Sequence, residues 1–137
     1  MANPRLLPDT CAWIDFFRGD DSEPARLLEQ GLRGSATVCV CGPILYELVQ
    51  GVRSEKEETA ILNALEGLVA LEVTDTLWIG AGRISAQLKK QGITLPNSDI
   101  LIAAVALAND LTVLTRDKHF LRIPQLATMG IPPEPAH

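Results

Sequence analysis

At 137 residues the chain suits a single domain with a core of its own, and 47% hydrophobic with 21% charged residues excludes a disordered chain. The longest apolar run, Ile100 to Ala108, is roughly half of a membrane span, and the opening Met1-Ala2-Asn3-Pro4-Arg5 leads into too few apolar residues for a secretory signal. A formal net charge of -5 excludes a protein that grips nucleic acid by charge alone.

Strand-like and helix-like segments alternate along the chain. Arg5-Leu6-Leu7 reads as a short strand ended by Pro8, and Thr10 to Arg18 as a short helix stopped by Gly19. A second helix starts at Ser22, places Leu27, Leu28 and Leu32 on one side, and ends before Gly34. Thr37 to Val40 reads as a buried strand. Gly42-Pro43 opens a helix with Ile44, Leu45, Leu48, Val49 and Val52 as its apolar stripe. Ser54 and Glu57 form a capping box for a helix that buries Ile61, Leu65 and Leu68.

Val69 to Val73 is the third strand. Thr74 or Asp75 caps a long helix carrying Leu77, Trp78, Ala81, Ile84 and Leu88, which Gly92 ends. Pro96-Asn97-Ser98 is a turn before an apolar helix, Asp99 to Ala108. Leu111 to Thr115 is the last clear strand, and Asp117 to Leu121 a short helical turn. The tail from about residue 130 is proline-rich. This alternation predicts an α/β fold, with a central, mainly parallel sheet of four or five strands between two helical layers, as one domain over residues 1–137. In such sheets ligands bind outside the carboxyl ends of the strands.

The three cysteines, Cys11, Cys39 and Cys41, are an odd number, and two of them alternate in a strand. They read as buried thiols in a reducing cytoplasm rather than a disulfide framework or a metal site.

Four acids fall near the rim where the sheet rule points. Asp9 follows the first strand directly, Asp117 lies just past the last, and Asp99 opens a helix. Glu47 sits within a helix, off its apolar stripe. Singly, the three aspartates are ordinary helix caps and Glu47 an ordinary surface residue. Their joint setting differs. Asp99 is followed by Ile100-Leu101-Ile102-Ala103-Ala104-Val105-Ala106, and the small Ala103 and Ala106 at plus four and plus seven let its helix pack tightly. Two carboxylates about 4 Å apart repel by roughly 4 kcal/mol at an effective dielectric of 20. Such a group takes up a proton or a cation. Oxygen ligands suit Mg²⁺ or Mn²⁺, ions that also bind phosphate and assist phosphodiester hydrolysis.

The residues around these acids resemble the PIN-domain proteins, particularly the VapC toxins of type II toxin-antitoxin pairs. Leu6-Leu7-Pro8-Asp9-Thr10-Cys11-Ala12-Trp13-Ile14-Asp15-Phe16-Phe17-Arg18-Gly19 is similar to their opening, and Ile44-Leu45-Tyr46-Glu47-Leu48-Val49-Gln50-Gly51 to their second acidic motif. Ser98-Asp99-Ile100-Leu101-Ile102-Ala103-Ala104 and Leu114-Thr115-Arg116-Asp117-Lys118-His119-Phe120 resemble the third and fourth, in the family's order. The resemblance implies a cytoplasmic endoribonuclease that uses Mg²⁺, with Mn²⁺ substituting, and leaves a 5′-phosphate and a 3′-hydroxyl. It implies Asp9, Glu47, Asp99 and Asp117 as metal-binding acids, with Asp9 and Asp99 the most direct ligands. Thr115 would orient a carboxylate or a water. A VapB-like antitoxin, inserting a C-terminal segment near the active site, and a homodimer are implied as well. Pro8 departs from the aliphatic residue of many relatives.

Other residues read more plainly. His119 and His137 are the only histidines, and a metal-free mechanism would need both in one site. Trp13, Phe16 and Phe17 have the spacing of a core-packed helix face or a partner-facing groove rather than of base-stacking residues. Arg116 and Lys118 are phosphate contacts or surface charge, and Lys89-Lys90 a solvated helix end. Asp15, Asp20 and Asp21 read as surface or turn residues, with Asp15 the one outer candidate for the acidic cluster. Two alternatives are a receiver-like phosphoacceptor domain and a catalytically idle PIN fold serving as an interaction module. The first needs paired acids after the first strand, and Asp9 has no acidic neighbour. The second sits poorly with the presence of all four acids.

Overall fold

A computed structural model describes residues 3–133; His137 and the last residues of the proline-rich tail lie outside them. Among the described residues, β1 (Arg5–Pro8), β2 (Thr37–Cys41), β3 (Val69–Leu71), β4 (Thr112–Leu114) and β5 (Thr128–Met129) form one parallel sheet in the order β3-β2-β1-β4-β5. The helices are α1 (Thr10–Arg18), α2 (Glu23–Gln30), α3 (Gly42–Gln50), α4 (Glu55–Leu65), α5 (Asp75–Lys90) and α6 (Asn97–Asn109). The predicted α/β class and its parallel sheet are the observed ones.

Local signals account for most boundaries. Asp9 accepts a hydrogen bond from the Ala12 amide at the start of α1, and Gly19, at φ 72°, closes that helix in the left-handed conformation. Ser22, Ser54 and Thr74 cap α2, α4 and α5 in the same way. α2 runs on into a wider π-helical turn, Gly31–Ser35, where a side chain at Gly31 would press on Val38.

Three expectations shift. β3 is shorter than its apolar run because Glu72 and Val73 leave the sheet edge for α5. Trp78, expected on the buried stripe of α5, is 55% exposed, as is its neighbour Ile79. β5 is too short to show a two-residue period, so no strand pattern marked it.

The core gathers Leu6 and Leu7 of β1, Val38 to Cys41 of β2, Val113 and Leu114 of β4, Trp13, Ile44 and the Ile100–Ala106 face of α6. Trp13 is fully buried and stacks on Phe17 at 5.8 Å, which makes this aromatic group packing. The order in which strands are added reverses at β1, whose neighbours are β2 on one side and β4 on the other. Right-handed crossovers therefore put the packed pair α1–α2 and the packed pair α5–α6 on opposite faces. The reversal opens a crevice beyond the carboxyl ends of β1 and β4.

Candidate active site

Asp9 and Thr115 leave the adjacent strands β1 and β4 side by side at that crevice. The ladder carries through Pro8, which pairs with Leu114, and the Asp9 amide donates to the Leu114 carbonyl at 3.0 Å. The missing proline donor therefore leaves the pairing with β4 intact, while the pairing with β2 stops at Leu6. Thr115, fully buried, donates its hydroxyl to Asp9 Oδ2 at 2.5 Å and accepts from the Asp117 amide at 2.9 Å. One hydroxyl thus fixes both the first and the fourth acid. β5 supports it from the other side. The Thr115 amide donates to the Met129 carbonyl, and a side chain at Gly130 would lie 2.9 Å from the Thr115 carbonyl.

Glu47 projects from α3 and is held by two hydroxyls: Thr10 donates to Oε1 at 2.6 Å and Ser98 to Oε2 at 3.1 Å. It is partly buried, not a solvated surface acid. Asp99 is the third residue of α6, whose N-cap is Pro96, so it caps nothing through its side chain. Asp117 caps the 3₁₀ turn Lys118–Arg122 by accepting from the His119 amide at 2.9 Å. One ligand atom each from Asp99, Asp117 and His119 lies within 4.8 Å of the others.

The electrostatics record the crowding. Burial raises the Asp9 carboxyl to about 6, the Thr115 and Ala12 hydrogen bonds pull against that, and the charges of Asp99 and Asp117 push it further up. Asp99 is also raised, by burial first and then by Asp117, while His119 opposes and Glu47 adds. Asp9, Asp99, Asp117 and Glu47 thus face one another across one crevice. Oxygen donors from four elements, repelling each other in a partly dry place, fit a hard divalent cation.

Asp15 is a correction to the sequence reading. It is only 3% exposed and pairs with Arg116 through Nε at 2.9 Å and Nη2 at 3.3 Å, while Ser22 donates to it at 2.9 Å. The Arg116 hydrogen bond holds its carboxyl below the usual range against the pull of burial. α1 is thereby clamped to the segment between Thr115 and Asp117. Neither surface charge nor a member of the acid cluster, Asp15 braces that segment. Asp20 and Asp21 are exposed, as expected.

The cysteines are inert thiols. Burial pushes Cys41 and Cys11 up to about 11, and Cys39 is raised for the same reason. Thr10, Ser98 and His119 escaped the sequence reading. Thr10 and Ser98 each adjoin a candidate acid, which was the available signal. In the sequence His119 counts only as half of a histidine pair, because the turn that brings it to Asp99 is not visible there.

Comparison with known proteins agrees with this architecture. The sequence model of the PIN domain family matches residues 6–126. The VapC ribonuclease Mb1587 of Mycobacterium bovis is 31% identical over 121 residues, covering 84% of this chain and 88% of that protein. Ribonuclease VapC1 of Methanocaldococcus jannaschii is 30% identical, covering 87% and 81%. Among solved structures, VapBC-1 of nontypeable Haemophilus influenzae superposes with a TM-score of 0.76 at 22% identity, over 91% of this chain and 96% of that one. VapBC2 of Rickettsia felis, bound to a DNA fragment from its promoter, gives 0.75 at 21%, over 91% and 97%. Among the described residues no helix is long and apolar enough to cross a membrane. The chain belongs to the PIN domain family, and its curated relatives are VapC ribonucleases.

Proposed function

We propose that this protein is a divalent-metal-dependent endoribonuclease acting as the toxin of a toxin-antitoxin pair in the cytoplasm. The observation that carries the reading is the convergence of Asp9, Glu47, Asp99 and Asp117 beyond β1 and β4, with Thr115 joining the first acid to the last. Asp9, Asp99, Asp117 and Glu47 are the acids assigned to Mg²⁺, with Mn²⁺ as substitute. When bound there, the ion would supply Lewis acidity and charge neutralisation at the scissile phosphate.

The chain's own residues do the rest. Thr115 turns Asp9 into the crevice, and Thr10 and Ser98 hold Glu47 toward Asp99. The Asp15–Arg116 clamp keeps the Thr115–Asp117 segment in place. An ion held by these acids would offset their repulsion of RNA phosphates despite the chain's net charge of -5.

Two partners accompany this reading. A cleft beside Glu47, lined by Ile14, Phe17, Leu48 and Ile61 with Arg18 and Arg53 at its rim, suits the C-terminal segment of a VapB-like antitoxin. The exposed Trp78, Ile79 and Tyr46 suit a second copy of the chain. The test is cleavage of single-stranded RNA with Mg²⁺, with Mn²⁺ and with EDTA. Cleavage with either ion, abolished by EDTA and by Asp9→Asn or Asp99→Asn in folded protein, supports the proposal; undiminished cleavage in EDTA overturns it.

A further inference from the structure

The 3₁₀ turn after Asp117 swings an imidazole into the acid cluster. His119 Nδ1 lies 3.4 Å from Asp99 Oδ2 and 3.3 Å from Asp117 Oδ1. Charged N–H···O bonds are about 2.7–2.9 Å long, so both separations exceed a good hydrogen bond. They lie only about 0.3–0.4 Å above the spacing of atoms that share one octahedral ion, since bonds of about 2.1 Å put neighbouring ligand atoms ~3.0 Å apart, and a small turn of the half-exposed ring closes that gap.

The backbone imposes this placement. Asp117 accepts from the His119 amide, which folds the turn back over the carboxylate, and the fully buried Phe120 anchors the turn from beneath. The ring itself is half exposed, so packing alone does not hold it against two acids.

We propose that His119 is a ligand of the divalent ion, beside Asp99 and Asp117, and that its nitrogen raises the centre's affinity for Mn²⁺ relative to Mg²⁺. The inference rests on the metal-site reading above and deepens it. Mg²⁺ takes oxygen ligands and parts reluctantly with its waters, whereas first-row transition ions accept imidazole readily. A site built of carboxylates alone lacks that discrimination.

The experiment loads the full chain and its His119→Gln variant with Mn²⁺ and follows bound ion by electron paramagnetic resonance, alone and against competing Mg²⁺. Pulsed measurements on bound Mn²⁺ read coupling to a ligating ¹⁴N. Wild-type protein should show an imidazole coupling that survives His137→Gln and is absent in His119→Gln. The ratio of Mn²⁺ to Mg²⁺ affinity should fall about tenfold or more in His119→Gln, since even outer partners of a ligand cost about 10–100-fold when removed. A circular dichroism spectrum like that of wild type shows that the variant is folded. Bound Mn²⁺ without imidazole coupling in wild type, or an unchanged ratio in the variant, overturns the assignment and leaves His119 a counter-charge. If wild-type protein binds neither ion, the metal site itself falls, and this ligand with it.

Discussion

Thr115 Oγ donates to Asp9 Oδ2 at 2.5 Å across 106 positions of sequence, and the same oxygen accepts the Asp117 amide. A hydroxyl with no accessible surface thus sets two of the four acids. Thr115→Val keeps the shape and removes both bonds. It should destabilise the protein by about 1–3 kcal/mol, the cost of leaving buried polar groups unpaired. RNA cleavage should fall about 10–100-fold. Urea unfolding and initial cleavage rates check the two effects, and cleavage within twofold of wild type would remove Thr115 from the site.

The metal-free protein should lose stability as pH rises from about 4 to 7. Asp9 is raised from 3.8 to about 6 in the folded chain. Between those values the folded state holds a proton that the unfolded state has released, so the contribution is full below 3.8 and lost through 6. Its size is on the order of 3 kcal/mol, and Asp99, also raised, acts in the same direction. Asp9→Asn should flatten the profile and be more stable than wild type at pH 7 in EDTA. Adding Mn²⁺ at 100 times its dissociation constant should return about 2.7 kcal/mol to the wild type alone. Denaturant midpoints across pH read this directly; a wild-type profile that climbs from pH 4 to 7 would contradict it.

Asp15 and Arg116 should act with the opposite sign. The Asp15 carboxyl is lowered by its Arg116 hydrogen bond, so the pair stabilises above the unfolded pKa and is lost as pH falls through the folded one. Arg116→Gln leaves a buried carboxylate with Ser22 as its side-chain partner. Breaking a buried pair costs about 3–5 kcal/mol, and Arg116 is half exposed, so about 1–3 kcal/mol is expected after solvent screening. The loss should be full at pH 7 and shrink as the pH falls below 3.8, the ordinary aspartate value, toward the lowered one. A loss that does not shrink with falling pH would mean that Arg116 acts through packing.

What the sequence made legible follows from the range of each interaction. Parallel strands, helix caps and the Ile100–Ala106 core face come from local pattern, and they are where periodicity placed them. The rule that ligands bind beyond the carboxyl ends of the strands points to Asp9 and Asp117 from sequence, whereas Thr115 is marked only by the resemblance to the family's fourth motif. The partners of the acids are different. Thr10 and Ser98 meet Glu47 across 37 and 51 positions, and Asp15 meets Arg116 across 101. Adjacency to an acid marks Thr10 and Ser98 as polar neighbours, but nothing local announces that both turn to Glu47 or that Asp15 meets Arg116. Trp78 deceived for the converse reason: its helical spacing fits a buried stripe, but only packing decides which side of α5 is covered.

Glu47 should depend on its two hydroxyls as a unit. Thr10 and Ser98 each hold one of its oxygens, which fixes the plane of the carboxylate and leaves little freedom for it to turn from Asp99. If Glu47 works by position, Thr10→Val with Ser98→Ala should cost most of what Glu47→Gln costs in cleavage rate, with the fold intact by circular dichroism. Combined with Glu47→Gln, the pair should then cost little more, because the group they orient is gone. That shortfall is the coupling, expected at about 0.5–3 kcal/mol for residues in one network. Measuring cleavage for wild type, the double variant, Glu47→Gln and the triple variant closes the cycle. Strictly additive losses would mean that Thr10 and Ser98 serve the site by some other route, and Glu47 would stand without its positioning pair.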